Sequence, residues 1–369
     1  MSVFRTGTRF RRLGALVAVG VLATSLAACS SDNGSSSNSS GGSGGSSSGS
    51  GGSGGEVNLG YFPNLTHASA IVGLDKGFFK NALAKDGATL KATEFNSGSD
   101  TIDALLAGDL DATYIGPSPA ITAYGTSKNV SVISGATSGG ASLVVSSDIK
   151  SPQDLKGKTI ATPGQGNTQD VAFKYWLKQQ GIHVSADGQG DLTVLPQDNS
   201  DTVTQFKQGQ VDGGWVPEPY ASVLVADGGH KLVDEASLWP KGQFVTTQLL
   251  VNNDFLKAHP DLVNDLLKGQ IQANDFVNKN PAEAKQITAT QIQKITGGDA
   301  IPPKVLNAAW KELTFTNDPL ADTLLESAKH AVDTGLIQTI PGLSNIFDLD
   351  PLNKLLAAAG EPTVSGPSS

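Results

Sequence analysis

Residues 99–120 have the sequence SDTIDALLAGDLDATYIGPSPA, and residues 200–221, which lie 101 positions later, have the sequence SDTVTQFKQGQVDGGWVPEPYA. Six of the 22 aligned positions are identical, and five more exchange one aliphatic or aromatic residue for another. Upstream, Pro63 and Pro163 stand at an offset of 100. The repeat predicts two lobes built on one α/β plan. A chance match within a shared strand–helix pattern is the alternative.

Strand and helix patterns alternate around both copies of the repeat. We predict strands over 57–62, 89–95, 112–115 and 130–136 in the first half, and over 159–161, 192–196 and 213–216 in the second. Ile102, Leu105 and Leu106 form one apolar helical face, which Gly108 ends. After Asn252 the pattern is mainly helical. Such alternation favours parallel sheets with covered faces.

Two further strand-like runs, 141–146 and 244–252, are interpreted as crossover strands that join the lobes. One lobe then comprises residues 56–143 and 247–369, and the other, comprising 144–246, is inserted into it.

The N-terminal segment has the features of an export signal. Residues 1–28 carry four arginines and no acid, and the apolar run 13–23 is too short to span a bilayer. Leu26-Ala27-Ala28-Cys29 resembles a bacterial lipobox, which predicts a lipoprotein signal peptide over 1–28 and lipidation of Cys29. An ordinary export signal is the alternative, and Sec or twin-arginine export stays open. Residues 30–55 contain 13 Ser and 10 Gly, so 29–55 is expected to be a flexible, lipid-anchored linker.

Composition excludes several classes of protein. With 1 Cys the chain forms no intramolecular disulfide, and its 5 His show no zinc-type spacing, so no metal and no cofactor are expected. A net charge of -9 argues against a nucleic-acid partner. The sequence has no nucleophile elbow, dinucleotide fingerprint or Walker loop, so we expect a protein that is not an enzyme.

Polar corners follow the predicted strands, where ligands bind in open α/β sheets. They are rich in Gly, Ser, Thr and Asn at helix N-termini, whose free N–H groups suit an anion, and they contain no Arg or Lys. Candidate ligand-binding residues are Asn64, His67, Ser97, Gly98, Ser99, Ser118, Gln165, Gly166, Asn167, Thr168, Trp215 and Glu218.

Four of these candidates carry specific expectations. Ser99 is expected to cap a helix that begins near Thr101, and Trp215 to form a pocket wall. His67 either donates to the ligand or belongs to a first helical turn. Glu218 is unfavourable beside an anion unless it points outward or caps its helix.

The runs FNSGSD (95–100), YIGPSPA (114–120), LKGKTIATP (155–163) and WVPEPY (215–220) resemble the nitrate/sulfonate/taurine family of ABC-importer substrate-binding proteins. The resemblance covers nearly all of 56–359. It implies a type II periplasmic-binding-protein fold, a two-lobed clamshell, working with an ABC permease and its ATPase. The nitrate branch is similar to proteins with a Lys near the anion, and its absence from these corners favours an aliphatic sulfonate or taurine.

The expected protein is thus an extracytoplasmic, lipid-anchored, monomeric binding protein for a small organic anion. Nitrate, bicarbonate and a thiamine-pathway pyrimidine remain alternative ligands. The rival classes are an exported enzyme on this fold and a sensor or structural lipoprotein with a vestigial cleft.

Replacing the lipobox cysteine tests the anchor. Cys29→Ala should release the protein from the membrane or block its maturation, because no later segment is apolar over the roughly 20 residues that a spanning helix needs. Membrane fractionation and the mass of the mature chain measure both effects. Full membrane retention of a cleaved Cys29→Ala chain would contradict the prediction.

Overall fold

The computed structural model describes residues 55–368. The predicted signal peptide, Cys29 and the predicted linker up to residue 54 lie outside the described residues. Among residues 55–368, no helix combines the length and apolar character that crossing a membrane requires.

The described residues form eleven strands. They are β1 (Glu56–Tyr61), β2 (Thr89–Glu94), β3 (Ala112–Ile115), β4 (Val130–Gly139), β5 (Ala141–Val145), β6 (Thr159–Thr162), β7 (Thr193–Pro196), β8 (Gly213–Pro217), β9 (His230–Asp234), β10 (Val245–Asn252) and β11 (Leu313–Phe315).

Thirteen α-helices connect and cover these strands within residues 55–368. They are α1 (Ala68–Asp75), α2 (Phe78–Leu83), α3 (Gly98–Ala107), α4 (Pro117–Ser127), α5 (Thr168–Gln179), α6 (Asn199–Lys207), α7 (Tyr220–Ala226), α8 (Asn253–Ala258), α9 (Pro260–Lys279), α10 (Pro281–Thr296), α11 (Pro303–Lys311), α12 (Ala321–Asp333) and α13 (Asp350–Ala359).

The strands assemble into two sheets with a common plan. The first has the order β11-β4-β10-β3-β1-β2 and the second β7-β6-β8-β5-β9. In the first sheet β1 runs parallel to β2 and β3, and in the second β6 runs parallel to β7 and β8. The strands β10 and β5 run antiparallel to their neighbours β3 and β8. Both sheets are therefore mixed, whereas the sequence pattern favoured parallel sheets. Buried apolar clusters cover both faces of each sheet.

The sequence repeat corresponds to equivalent hydrogen bonds near the starts of β1 and β6, which are interior strands of the two sheets. Asp111 Oδ2 accepts from the backbone N–H of Asn58 (2.7 Å), and Asp212 Oδ2 accepts from that of Thr159 (2.8 Å). Asp111 and Asp212 are 101 positions apart, and so are their partners Asn58 and Thr159. The offset of 101 therefore extends back into β1 and β6. The offset of 100 at Pro63 and Pro163 arises because the second lobe has one residue fewer after its first strand.

The chain passes between the sheets at two places. It leaves the first sheet after Gly139 and enters the second at Ala141, and it returns between Asp234 and Val245. Both expected crossover strands form, as β5 and β10, but each pairs within a single sheet. The crossings therefore lie before the expected lobe boundaries at 143/144 and 246/247.

The core of the first lobe depends on close helix contact around Phe79. This ring is fully buried, and a Cβ atom on Gly269 of α9 would collide with Phe79 Cδ1 and lie 3.0 Å from Phe79 Cα. Gly73 of α1 meets the same ring on another side. Glycine at these positions lets α9 and α1 approach α2.

We expect Gly269→Ala to lower the free energy of unfolding. Overpacking costs about 1–3 kcal/mol, which outweighs a gain in helix propensity of at most about 1 kcal/mol. Gly125→Ala in α4 is the matched control, because its Cβ meets only the flexible end of Ile340. Urea denaturation compares the two variants. Equal stability would show that α9 and α2 have room for the added methyl group.

Candidate functional site

A small cavity lies where the carboxyl ends of both sets of parallel strands meet. Its volume is about 40 Å³. A cavity needs roughly 10–15 Å³ to hold one water molecule, so this cavity has room for only a few water-sized groups. The lining residues are all uncharged. They are Phe62, Asn64, Thr66, His67, Asn96, Gly98, Gly116 and Pro119, then Pro163, Asn167, Thr168, Gln169, Asn199, Pro217 and Thr246.

The two lobes touch beside this cavity. A Cβ atom on Gly116, which precedes α4, would collide with Thr168 Oγ1 at the start of α5. A Cβ on Gly98 would lie 2.7 Å from Asn167 Oδ1. The structure thus shows the lobes in contact, with glycine where one backbone approaches the other lobe.

Three helices begin at the cavity. The N-cap residues are Ser97 for α3, Gly116 for α4 and Asn167 for α5, and none makes a side-chain hydrogen bond to its helix. The first N–H groups of a helix lack intrahelical partners, and the helix dipole favours negative charge there. In α4 only Ser118 supplies such a group, because Pro117 and Pro119 have no N–H. Helix N-termini of this kind suit an anion without a cationic side chain.

His67 is a neutral hydrogen-bond donor at the cavity wall. Its ring is buried, stacks on Phe62 with centroids 4.7 Å apart, and accepts at Nδ1 from the backbone N–H of Phe62 (3.2 Å). Burial lowers the pKa of His67 to about 3. Since Nδ1 accepts, the single proton of the neutral ring lies on Nε2, which is free to donate to a ligand.

The expectation for Ser99 is wrong in detail. The helix α3 begins at Gly98 rather than near Thr101, so Ser97 is its cap. Ser99 lies in the first turn, is exposed, and its Oγ is 2.6 Å from Ser97 Oγ.

Trp215 is not a wall of the cavity. Its side chain is fully buried in the core of the second lobe and packs against Phe173 and Trp176 of α5. Its indole Nε1 donates to Glu235 Oε2 (2.7 Å). On β8 the ring therefore points toward α5 and not toward the first lobe.

Glu218 lies beside the cavity with its carboxylate turned into α7. Its two oxygens accept from Ser222 N (3.0 Å) and Ser222 Oγ (2.9 Å), and burial raises the pKa of Glu218 to about 7. The carboxylate thus accepts hydrogen bonds from the first turn of α7. This is the capping arrangement in which a carboxylate was expected to be tolerated near an anion. Its carbonyl oxygen accepts from Leu65 N (3.1 Å) across the lobes.

A flanking cavity of about 410 Å³ contains other candidate residues. Ser99, Ser118, Gln165 and Gly166 line it together with Gly98 and Asn167. Within residues 55–368, Ser118 Oγ is buried without a hydrogen-bond partner. The other groups are engaged, since Gln165 Nε2 donates to Ala186 O (3.2 Å) and Gly166 N donates to Asp170 Oδ2 (2.8 Å).

A second flanking cavity, of about 350 Å³, has acidic walls. It shares Phe62, Asn64, Asn96 and Asn199 with the central cavity and adds Glu94, Asp198 and Tyr220. Burial, followed by the nearby carboxylates of Asp201 and Asp100, raises the pKa of Asp198. Asn96, Asp198 and Asn199 are not among the candidate ligand-binding residues predicted from the sequence, although they lie in the polar corners that follow the strands.

Two lobes on one plan, with a cavity between their strand ends, define a fold of the periplasmic-binding-protein type. The fold class predicted from the sequence is confirmed. The solved structure of the alkanesulfonate-binding protein of Xanthomonas axonopodis pv. citri, bound to MOPS, matches with a TM-score of 0.67 and 17% identity, covering 80% of this chain and 98% of that one.

The chain belongs to the NMT1-like family, whose model matches residues 52–293. It is 30% identical over 207 residues to the taurine-binding periplasmic protein of Escherichia coli (strain K12), covering 54% of this chain. That match spans 62% of the relative's length. It is 27% identical over 285 residues to the putative aliphatic sulfonates-binding protein of Bacillus subtilis (strain 168), covering 75% of this chain and 80% of the relative.

A methyl group at Gly116 should keep the lobes apart. The backbone of Gly116 (φ -73°, ψ 164°) accepts alanine without strain, so the effect of Gly116→Ala comes from its collision with Thr168. We expect a cost of about 1–3 kcal/mol in the closed arrangement. Small-angle scattering with saturating ligand should then give a larger radius of gyration than for the parent.

The double variant Gly116→Ala/Thr168→Ala is the control, since it removes Oγ1 and should restore the compact radius. An unchanged radius for the single variant would contradict the role assigned to this contact.

Proposed function

We propose that the protein is the extracytoplasmic substrate-binding component of an ABC importer, and that it captures an aliphatic sulfonate or taurine. The observation that carries the proposal is the cavity between the lobes, which has uncharged walls and three helix N-termini. The taurine and aliphatic-sulfonate names of the two relatives agree with it.

A sulfonate suits this cavity chemically. It stays ionised at any physiological pH, and its three oxygens accept hydrogen bonds from donors on several sides. Asn167, Thr168 and the first N–H groups of α3 and α5 approach the cavity from opposite lobes. His67 Nε2 adds a neutral donor. Because no lysine or arginine lines the cavity, binding relies on dipoles that closure of the lobes brings together.

The acidic flanking cavity favours a ligand that also carries an amine. Asp198 and Glu94 lie next to the central cavity, and Asp198 is close enough to Asp100 and Asp201 for their charges to raise its pKa. An ammonium group placed there relieves this repulsion. Taurine carries an ammonium group two carbons from its sulfonate, so it places opposite charges in the two adjoining cavities.

A comparison of taurine with ethanesulfonate, which lacks only the amino group, tests the ligand. Calorimetric titration of the parent should give tighter binding of taurine. Asp198→Asn should remove most of this preference, about 10-fold or more, since a hydrogen bond to a charged group contributes roughly 1.5–3 kcal/mol. Asp198 is the N-cap residue of α6, but its side chain makes no capping hydrogen bond, and Asn is an equally good N-cap residue, so the fold is preserved.

Asp261→Asn, in the exposed first turn of α9 and outside the cavity lining, is the matched control and should bind as the parent does. Equal affinity for both sulfonates, unaffected by Asp198→Asn, would leave an anion-binding protein without taurine selectivity. Failure of every small anion to bind would refute the proposed function.

The volume of about 40 Å³ also favours a second candidate, a smaller anion such as nitrate or bicarbonate. Either would fill the central cavity without using the flanking ones. The same titration distinguishes them from sulfonates.

The rest of the proposal concerns the assembly. The lipid anchor at Cys29 would hold a monomeric binding protein near the membrane, where a permease and its ATPase receive the ligand. No catalytic step is part of this function.

A further inference from the structure

Another cavity, of about 540 Å³, shares no lining residue with the anion cavity. Its walls come from α5 of the second lobe, α12 of the first lobe and the segment 235–240, which belongs to the return crossing between β9 and β10. Beside it, Lys178 Nζ of α5 donates to Asp333 O of α12 (2.6 Å). The cavity therefore depends on contact between the lobes.

Aromatic rings form much of this cavity. Tyr175 and His330 stack with their centroids 3.6 Å apart and planes inclined by 12°. Trp239 lies 5.4 Å from His330, and Trp176 packs inward against Trp215 at 6.0 Å. Trp239 also stacks on Phe244 (5.7 Å, 12°), so one face of Trp239 and one face of Tyr175 are covered by another ring. Ring faces carry partial negative charge, and those left uncovered attract a cation.

The charged residues of the lining have one sign. They are the carboxylates Glu235, Asp322 and Glu326, and no lysine or arginine is among the lining residues. Glu235 is 1% exposed and accepts from Trp215 Nε1. Ser368 donates twice to Asp322, and Lys329, on the solvent side, binds Glu326 (2.7 Å).

His330 adds no positive charge to this cavity under neutral conditions. Its Nε2 lies 3.6 Å from Glu326 Oε1, but burial outweighs this carboxylate and lowers the pKa of His330. Burial also raises the pKa of Glu235 to about 7. The negative charge of the lining therefore rests mainly on Asp322 and Glu326, beside neutral, electron-rich rings.

We propose that this cavity binds a small organic cation, a quaternary or protonated amine with an apolar body. Its volume is in the range of small-molecule sites, which are largely apolar with a few placed polar groups. Leu238, 47% exposed and one of two strongly exposed large apolar residues within 55–368, offers contact for the apolar part. The chemistry is opposite to that of the anion cavity.

Binding of this cation is coupled to the arrangement of the lobes. Because α5 and α12 belong to different lobes, a ligand held between them stabilises the state in which they touch. A cation that favours this state increases the affinity for a central-cavity ligand that also favours it, and the reverse holds by the same factor. The cation site itself does not rest on the proposed anion function.

Choline and its neutral carbon isostere, 3,3-dimethylbutan-1-ol, are the probes for the purified full chain. Calorimetric titration without any sulfonate should show choline binding and at least about 10-fold weaker binding of the isostere. Trp239→Leu should weaken choline binding about 2- to 30-fold, the range expected on losing one cation–π contact. Trp310→Leu, a half-buried tryptophan of α11 outside this cavity, is the matched control and should bind as the parent does.

Trp239→Phe provides a second variant if Trp239→Leu does not fold. It keeps a ring with a weaker quadrupole and should show a smaller loss of affinity. Equal binding of choline and the isostere would overturn the proposal, because the cavity would then select apolar bodies and not charge. The absence of choline binding at millimolar concentrations would overturn it as well. Neither outcome bears on the anion titration, so the two functions fail separately.

Discussion

Backbone hydrogen bonds at the first crossing between the lobes hold the floor of the central cavity. Gly140 O accepts from Glu218 N (2.8 Å), and Glu218 O accepts from Leu65 N (3.1 Å). Thr246 Oγ1 closes the group by donating to Gly139 O (2.6 Å). These contacts join β4, β8 and β10, which belong to different sheets. They tie the strand ends that carry the ligand donors to the point where the chain changes lobes.

The charge that lines each cavity differs from the net charge of the whole chain. The whole chain has a net charge of -9, yet the residues that line its central cavity are uncharged. Charges more than about 8 Å away are largely screened at physiological salt, so local dipoles decide what binds there. The cavity around Trp239 concentrates carboxylates and ring faces instead. The two proposed sites would therefore have opposite charge preferences about the same pair of lobes.

Sequence patterns located the repeat, most strands and the corners that surround the cavity, because these depend on local periodicity and on helix capping. They did not locate β9 or β11. Three-residue β11 forms only because it pairs with the edge of β4, which no local pattern reports. The direction of Trp215 was likewise missed: its partner Glu235 and its neighbours on α5 are set by packing of the second lobe. Tyr114, its equivalent in the repeat, is also buried and bonds Gln270, which is 156 positions away.

The fit between Gly116 and Thr168 has a kinetic consequence. With the lobes in contact, the cavity of about 40 Å³ has room for little more than a ligand's head group, and the bound molecule is enclosed by backbone from both sides. On the proposed function, separation of these two residues widens the route by which a solute enters and leaves. Its residence time is set by how often the lobes separate, so two ligands with equal contacts will differ in lifetime when one of them holds the lobes together more firmly.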